Sequence, residues 1–363
     1  MAAWKESGGF AGTFSPNAAA VQAIVPMAAG STHAVTLKWK TNKPAPGKSI
    51  YAGAGPWPGP GAYSPTTITA RLLPAARLQS TARTTQLTLA DNDGVTFQPL
   101  DPANPVALDV TPTTDGVALV TGSADLWTET TGINQDLGIK VAEISPSIVA
   151  WKESGGFAGT FSPNAALVQG TFTVEAGHTY HVSLVWKANQ VEHGAVVHAG
   201  AGPLSGGTFS PTRLTVQLLP ASSLSGVRQV RQFALSNVDG TSFVDLGQPL
   251  TISAPSDCLA LITANADLWT AQAGLNQDLG ISVDGTMVAW KESGGFAGTF
   301  SPNAAYVQAV VPLHQGQSPV VRLQWKTNRA AAGETIYDGA GPWPSSGGEY
   351  STTTLIAEVV SCS

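Results

Sequence analysis

The 363 residues hold 18 Lys and Arg against 24 Asp and Glu, a net charge of −6, with 39 Gly, 25 Pro, 10 Trp and 2 Cys. That length leaves room for two or three domains, each able to bury its own core. The mild, unclustered charge argues against a nucleic-acid partner, and no apolar run reaches the roughly 20 residues that a membrane-inserted helix needs.

Read from the N-terminus, residues 1–10 lack the basic and apolar regions of a secretory signal. At Trp4 begins a block of sixteen residues, Trp-Lys-Glu-Ser-Gly-Gly-Phe-Ala-Gly-Thr-Phe-Ser-Pro-Asn-Ala-Ala, which returns unchanged at Trp151 and Trp290. The spacings, 147 and 139 residues, are domain-sized rather than solenoid-sized. After each block comes an alternating strand pattern. Val35, Leu37 and Trp39 share one face, as do Tyr180, Val182, Leu184 and Trp186, and then Val321, Leu323 and Trp325. Such alternation predicts half-buried strands with one core face and one wet face. A Gly-Ala-Gly-Pro loop follows at Gly53, Gly200 and Gly339, and then a second strand pattern: Ile68, Ala70, Leu72; Leu214, Val216, Leu218; Leu355, Ala357, Val359.

This block half occurs three times. A second kind of segment, the middle half, occurs twice, near residues 85–141 and 231–283. It runs from an Asp-Gly turn (Asp93-Gly94, Asp239-Gly240) through Ala-Asp-Leu-Trp to Asn-Gln-Asp-Leu-Gly-Ile. No segment has a helical period, so the expected fold is all-β: tandem antiparallel β-sandwich (jelly-roll) domains. The expected division is a partial jelly-roll repeat at 1–75, a domain at 85–220 and another at 228–361. The first block half is then an orphan with exposed edges. Either the chain is a fragment of a longer array, the favoured reading, or a neighbouring molecule completes the first copy.

The stretch Ala176–Lys187 and the closing Ser210–Pro220 resemble the late strands of the C1q/TNF-like jelly rolls found in tandem in bacterial surface and phage tail proteins. The resemblance implies a surface protein built of repeated modules.

The block supplies the candidate ligand-binding residues: Trp4, Lys5, Glu6 and Asn17; Trp151, Lys152, Glu153 and Asn164; Trp290, Lys291, Glu292 and Asn303. A Trp face, a charged pair and a carboxamide are the parts of sugar sites. The competing reading makes the Trp core, the Lys-Glu pair solvated, and the Gly-rich stretch a tight corner. Trp57 and Trp343, flanked by prolines and replaced by Leu204 in the middle copy, are expected to be exposed and to contact a ligand or partner.

Catalytic signatures are weak. The Gly-Ala-Gly-Pro loops lack the strand-and-helix context of a phosphate loop. Asp125 with Asp136, and Asp267 with Asp278, invite a paired-carboxylate reading, and Asn134-Gln135-Asp136 a Ca²⁺ reading; turn chemistry accounts for both. Of six histidines four lie in one copy, His193 and His198 among them, so no triad is shared by the repeats. Cys258 and Cys362 are read as forming neither a metal set nor a disulfide framework.

The expectation is a non-enzymatic extracellular or cell-surface repeat protein binding a glycan or surface polymer. No cofactor or metal is expected; self-association between modules is. A structural protein forming a fibre, sheath or surface layer is the alternative, and a glycan-active hydrolase a remote one.

Overall fold

The structure is a computed structural model that describes residues 1–7, 16–57, 62–154, 163–191, 194, 196–204, 206–236, 238–272, 274–293, 302–343 and 347–362. The glycine-rich corner of each block, residues 8–15, 155–162 and 294–301, lies outside the described residues, as does His193.

The fold is all-β, and its strands form four antiparallel sheets. Two come from residues 78–219. The first orders its strands Leu78–Arg83, Thr212–Leu219, Gly116–Thr128, Val196–Ala199 and Leu87–Ala90, with Asn164–Val174 also paired to Gly116–Thr128. The second orders Gln98–Pro99, Tyr180–Ala188, Gln135–Val141 and Ile148–Ser154, with Ala107–Val110 also on Tyr180–Ala188. Residues 224–362 repeat the plan in sheets centred on Cys258–Thr270 and Val320–Thr327. Each pair of sheets interleaves its inner faces. Leu126, Leu137, Ile139, Val168, Leu184, Trp186 and Leu214 fill the first core, and Leu268, Leu279, Ile281, Val307, Leu323, Trp325 and Leu355 the second.

In both sandwiches every neighbour of the late strand comes from elsewhere in the sequence. Tyr180–Ala188 pairs with Gln98–Pro99, Ala107–Val110 and Gln135–Val141, all from the middle half. A block half alone thus offers an unpaired backbone to water. The first copy shows the result. Among the described residues 1–74 none lies in a strand. Val35, Leu37 and Trp39, expected in a core, are exposed, and so are Ile68 and Leu72. The contrast is widest at the tryptophan, 64% exposed at Trp39 against 0% at Trp186 and 2% at Trp325.

Two further expectations are corrected. The wet face of the late strand is dry near its end, where Ser183, Val185 and Lys187 are buried. Val185 packs with Ile148, Trp151 and Ala340, so the next copy covers that face. The two cysteines do pair. Antiparallel register sets Cys258 opposite Cys362, and a disulfide joins them across 104 residues of sequence.

Candidate functional site

The three blocks join the copies in a closed cycle. The Trp4 ring lies 3.2 Å from where a Cβ at Gly202 would sit, Trp151 stands 3.3 Å from that point at Gly341, and Trp290 3.4 Å at Gly55. The first block therefore docks on the loop of the second copy, the second on that of the third, and the third on that of the first. These glycines, each the second of Gly-Ala-Gly-Pro, have φ of +120°, +108° and +127°, and a side chain would meet the indole besides. A serine braces each loop: Ala54, Ala201 and Ala340 donate their N–H groups to the Oγ of Ser64, Ser210 and Ser351.

The block asparagines close the same cycle. Asn17 Nδ2 donates to Asn164 Oδ1 at 2.6 Å, Asn164 Nδ2 to Asn303 Oδ1 at 2.6 Å, and Asn303 Nδ2 to Asn17 Oδ1. Three carboxamides, each donor and acceptor, satisfy one another only if all three copies keep the residue. This ring ties the unchanged block to its geometry.

The Lys-Glu pairs are not solvated. Lys5 Nζ donates to the Pro211 carbonyl at 2.7 Å and lies 4.0 Å from Asp125. Lys152 Nζ donates to the Asn265 carbonyl, and Lys291 Nζ to that of Pro65. Burial lowers the pKa of all three lysines. The backbone N–H groups of Glu6 and Glu153 donate to Asp125 and Asp267 of the next copy, each at 2.9 Å. Burial pushes Glu153 up to about 8, Glu292 to about 7, Asp338 to about 7 and Asp267 to about 6.

Trp57 and Trp343, expected at an exposed ligand face, are half-buried joints. Trp57 Nε1 donates to the Thr241 carbonyl and its ring meets Phe243 and Trp290 edge-on. Trp343 Nε1 donates to the Val95 carbonyl with its ring against Phe97. Both acceptors belong to middle halves. The third loop, which carries Leu204, faces the one copy that has no middle half.

There a cleft of ≈ 320 Å³ opens, lined by Trp4, Glu6, Lys40, Asn42, Trp127 and Leu204 among others. The complete copies explain its shape. In the second copy the strand Gln135–Val141 runs between the block strand and the late strand, with Asp136 opposite both Glu153 and Lys187. Asp136 accepts from Lys187 Nζ, and Asn134 Nδ2 donates to Glu153 at 2.6 Å. Asp278, Lys326, Asn276 and Glu292 repeat this. In the first copy Trp4 and Glu6 line the cleft on one side and Lys40 and Asn42 on the other, the positions that flank that strand in the complete copies. Asn42 Nδ2 reaches across it to Glu6 Oε1 at 3.0 Å, and Lys40 Nζ donates to the Thr41 carbonyl. Partial burial raises the Glu6 pKa, with Asp125 adding to the rise.

The structure thus brings Trp4 and Glu6 together with Lys40, Asn42 and Trp127, which sequence reasoning passed over. A signal existed, since Lys40-Thr41-Asn42 aligns with Lys187-Ala188-Asn189 and Lys326-Thr327-Asn328. Lys5 points to the second copy, while Asn17, Asn164 and Asn303 face one another. The paired-carboxylate reading fails because Asp136 and Asp278 are locked to lysines while Asp125 and Asp267 are buried at joints. Among the described residues no group of three His, Cys, Asp or Glu is placed to hold a metal ion, and no helix is long and apolar enough to cross a membrane.

No protein-family model matches the chain, and no curated protein matches it in sequence. Among solved structures it is similar to PNGase F, a glycosylasparaginase from Flavobacterium meningosepticum, at 10% identity and TM-score 0.33 over 77% of this chain and 98% of that one. A peptide-N(4)-(N-acetyl-β-D-glucosaminyl) asparagine amidase gives 9% identity and TM-score 0.34 over 78% and 98%. The VP2 subviral particle of infectious bursal disease virus gives 12% and 0.23 over 82% and 80%. The superpositions are partial, and the fold assignment rests on the chain's own strand pairing. The neighbours include glycan amidases, against the expectation of a non-enzymatic binding or structural protein, but likenesses at TM-scores of 0.33 and 0.34 bring no activity to this chain.

Proposed function

We propose that the chain is a glycan-active hydrolase whose proton donor is Glu6. One observation carries this reading. All three equivalent glutamates accept from an asparagine, but Glu153 and Glu292 are buried under theirs, while Glu6, held by Asn42, is half-buried on a cleft lined by Trp4 and Trp127. Trp4 and Trp127, the latter stacked on His198 by one face, line the cleft with apolar surface for a pyranose ring, and Lys40 offers a donor for its hydroxyls. Leu204 supports an open cleft, since a Trp there would find no middle-half carbonyl to accept from it.

Burial keeps Glu6 protonated above the usual carboxylate range, as a general acid requires. It gives its proton to the leaving atom as the bond to the sugar carbon breaks. Water adds its oxygen to that carbon, and the proton that water releases returns to Glu6. Among the described residues Glu6 is the one carboxyl group lining this cleft, so the same group serves both steps. We place the encounter outside the cell, in keeping with the Cys258–Cys362 disulfide.

The test is release of labelled sugar from a panel of oligosaccharides and glycopeptides by the intact chain. Glu6→Gln should lower the rate about 100-fold or more with unchanged thermal stability, and turnover should fall on the alkaline side as Glu6 ionises. No release from any substrate by the unmutated chain between about pH 5 and 8 would sink the reading.

A further inference from the structure

We infer that the slot between residues 4–7 and 38–42 is an acceptor for a polypeptide strand of the Asn-Gln-Asp-Leu-Gly-Ile type, supplied from outside residues 1–363, which pairs the block strand and the late segment of the first copy. The argument starts from register. In both complete copies a strand of this sequence occupies the equivalent place, its Asp set opposite a Glu on one side and a Lys on the other. Both outer positions are present in the first copy as Glu6 and Lys40; the aspartate between them is not.

Charge and hydrogen bonding agree. Lys187 and Lys326 each hold the aspartate of that strand, whereas Lys40 is exposed and, among the described residues, donates to its neighbour's carbonyl. The side-chain oxygens of Asn189 and Asn328 accept the N–H that precedes the strand, from Asn134 and Asn276, each at 2.9 Å. Asn42 holds the equivalent position. Apolar surface agrees too, because Val35, Leu37 and Trp39 are exposed while their counterparts are buried under middle-half strands. Addition of a strand to an open edge draws affinity from the backbone and specificity from alternate side chains. Here the specifying side chain is the aspartate.

The inference stands on these observations apart from the hydrolase reading, yet it bears on the same cleft. A bound strand would close over Glu6 as its counterparts close over Glu153, so strand and glycan exclude each other.

The experiment mixes the full chain with a labelled peptide, Thr131–Ala142, and follows fluorescence anisotropy together with amide hydrogen exchange. Saturable binding is expected, with exchange slowed at residues 33–42. A peptide with Asp136→Lys should bind about 10-fold or more weakly, and a chain carrying Lys40→Glu should recover that peptide and lose the original. Absent saturation, or equal affinity for the two peptides, would overturn the inference. So would sedimentation showing a monomer whose residues 33–42 are already protected. A chain that takes the peptide but releases no glycan defeats the hydrolase reading alone; one that releases glycan but ignores the peptide defeats this one alone.

Discussion

Residues 33–42 and 180–189 come from the same repeat and share the Leu-x-Trp-Lys core, yet one is open coil in water and the other the centre of a sheet. The difference lies in the partners and not in the segment. A strand pattern fixes which face is apolar, but the backbone pairs only when a neighbour arrives in register. Tyr180–Ala188 has three neighbours from the middle half, and among the described residues 33–41 have none in strand form.

The comparison can be broken most forcefully at its lysines. Lys187→Ala leaves Asp136 buried without its counter-charge and should cost about 3–5 kcal/mol. Lys40→Ala, on the exposed equivalent, should stay within about 0.5 kcal/mol. Equilibrium urea unfolding of both variants measures the gap.

The apolar face gives the next largest contrast. Leu184→Ala should destabilise by about 2–5 kcal/mol through the cavity it leaves, whereas Leu37→Ala should change stability by less than about 0.5 kcal/mol. Equal losses would mean that the first copy has a packed core.

The buried carboxyl groups make stability respond to pH. Glu153 stands at about 8, Glu292 and Asp338 at about 7, and Asp267 at about 6, all raised first by burial. The folded state therefore holds these protons more tightly than the unfolded chain does. Their stabilising contribution is full below the unfolded carboxylate values near pH 4 and is lost as pH rises through about 6 to 8. The melting temperature should be higher at about pH 5 than at about pH 8.5. Glu153→Gln, which keeps the acceptor for Asn134, should flatten that slope in a thermal scan.

The smallest effect belongs to the ring at the meeting of the three blocks. Asn164→Ala removes one donor and one acceptor and should cost about 1–3 kcal/mol. Asn17→Ala should cost the same if the first copy truly closes the cycle, and nothing if its block is loosely held; urea titration separates the two.

Much of this architecture was legible in the sequence. Period-two alternation at Tyr180 to Trp186 and at Val321 to Trp325 marked strands that form, and the three-to-two count of halves marked the copy that does not. Its limits are physical. Cys258 and Cys362 become neighbours only through sheet register, which no local pattern specifies. Trp57 and Trp343 looked exposed because their prolines exclude regular structure, but an irregular loop can still dock, and theirs dock on carbonyls in another copy. The cleft was hidden for a related reason: Glu6 reads the same as Glu153 and Glu292, and only the absent strand beside it sets it apart.

Amide hydrogen exchange on the intact chain, alone in solution, tests the central claim most directly. The account predicts slow exchange, close to that set by global unfolding, across residues 180–188 and 320–327, and rapid exchange across 33–41. Equal protection of all three segments would contradict it, for it would show that the first copy finds its missing strand partners within this chain.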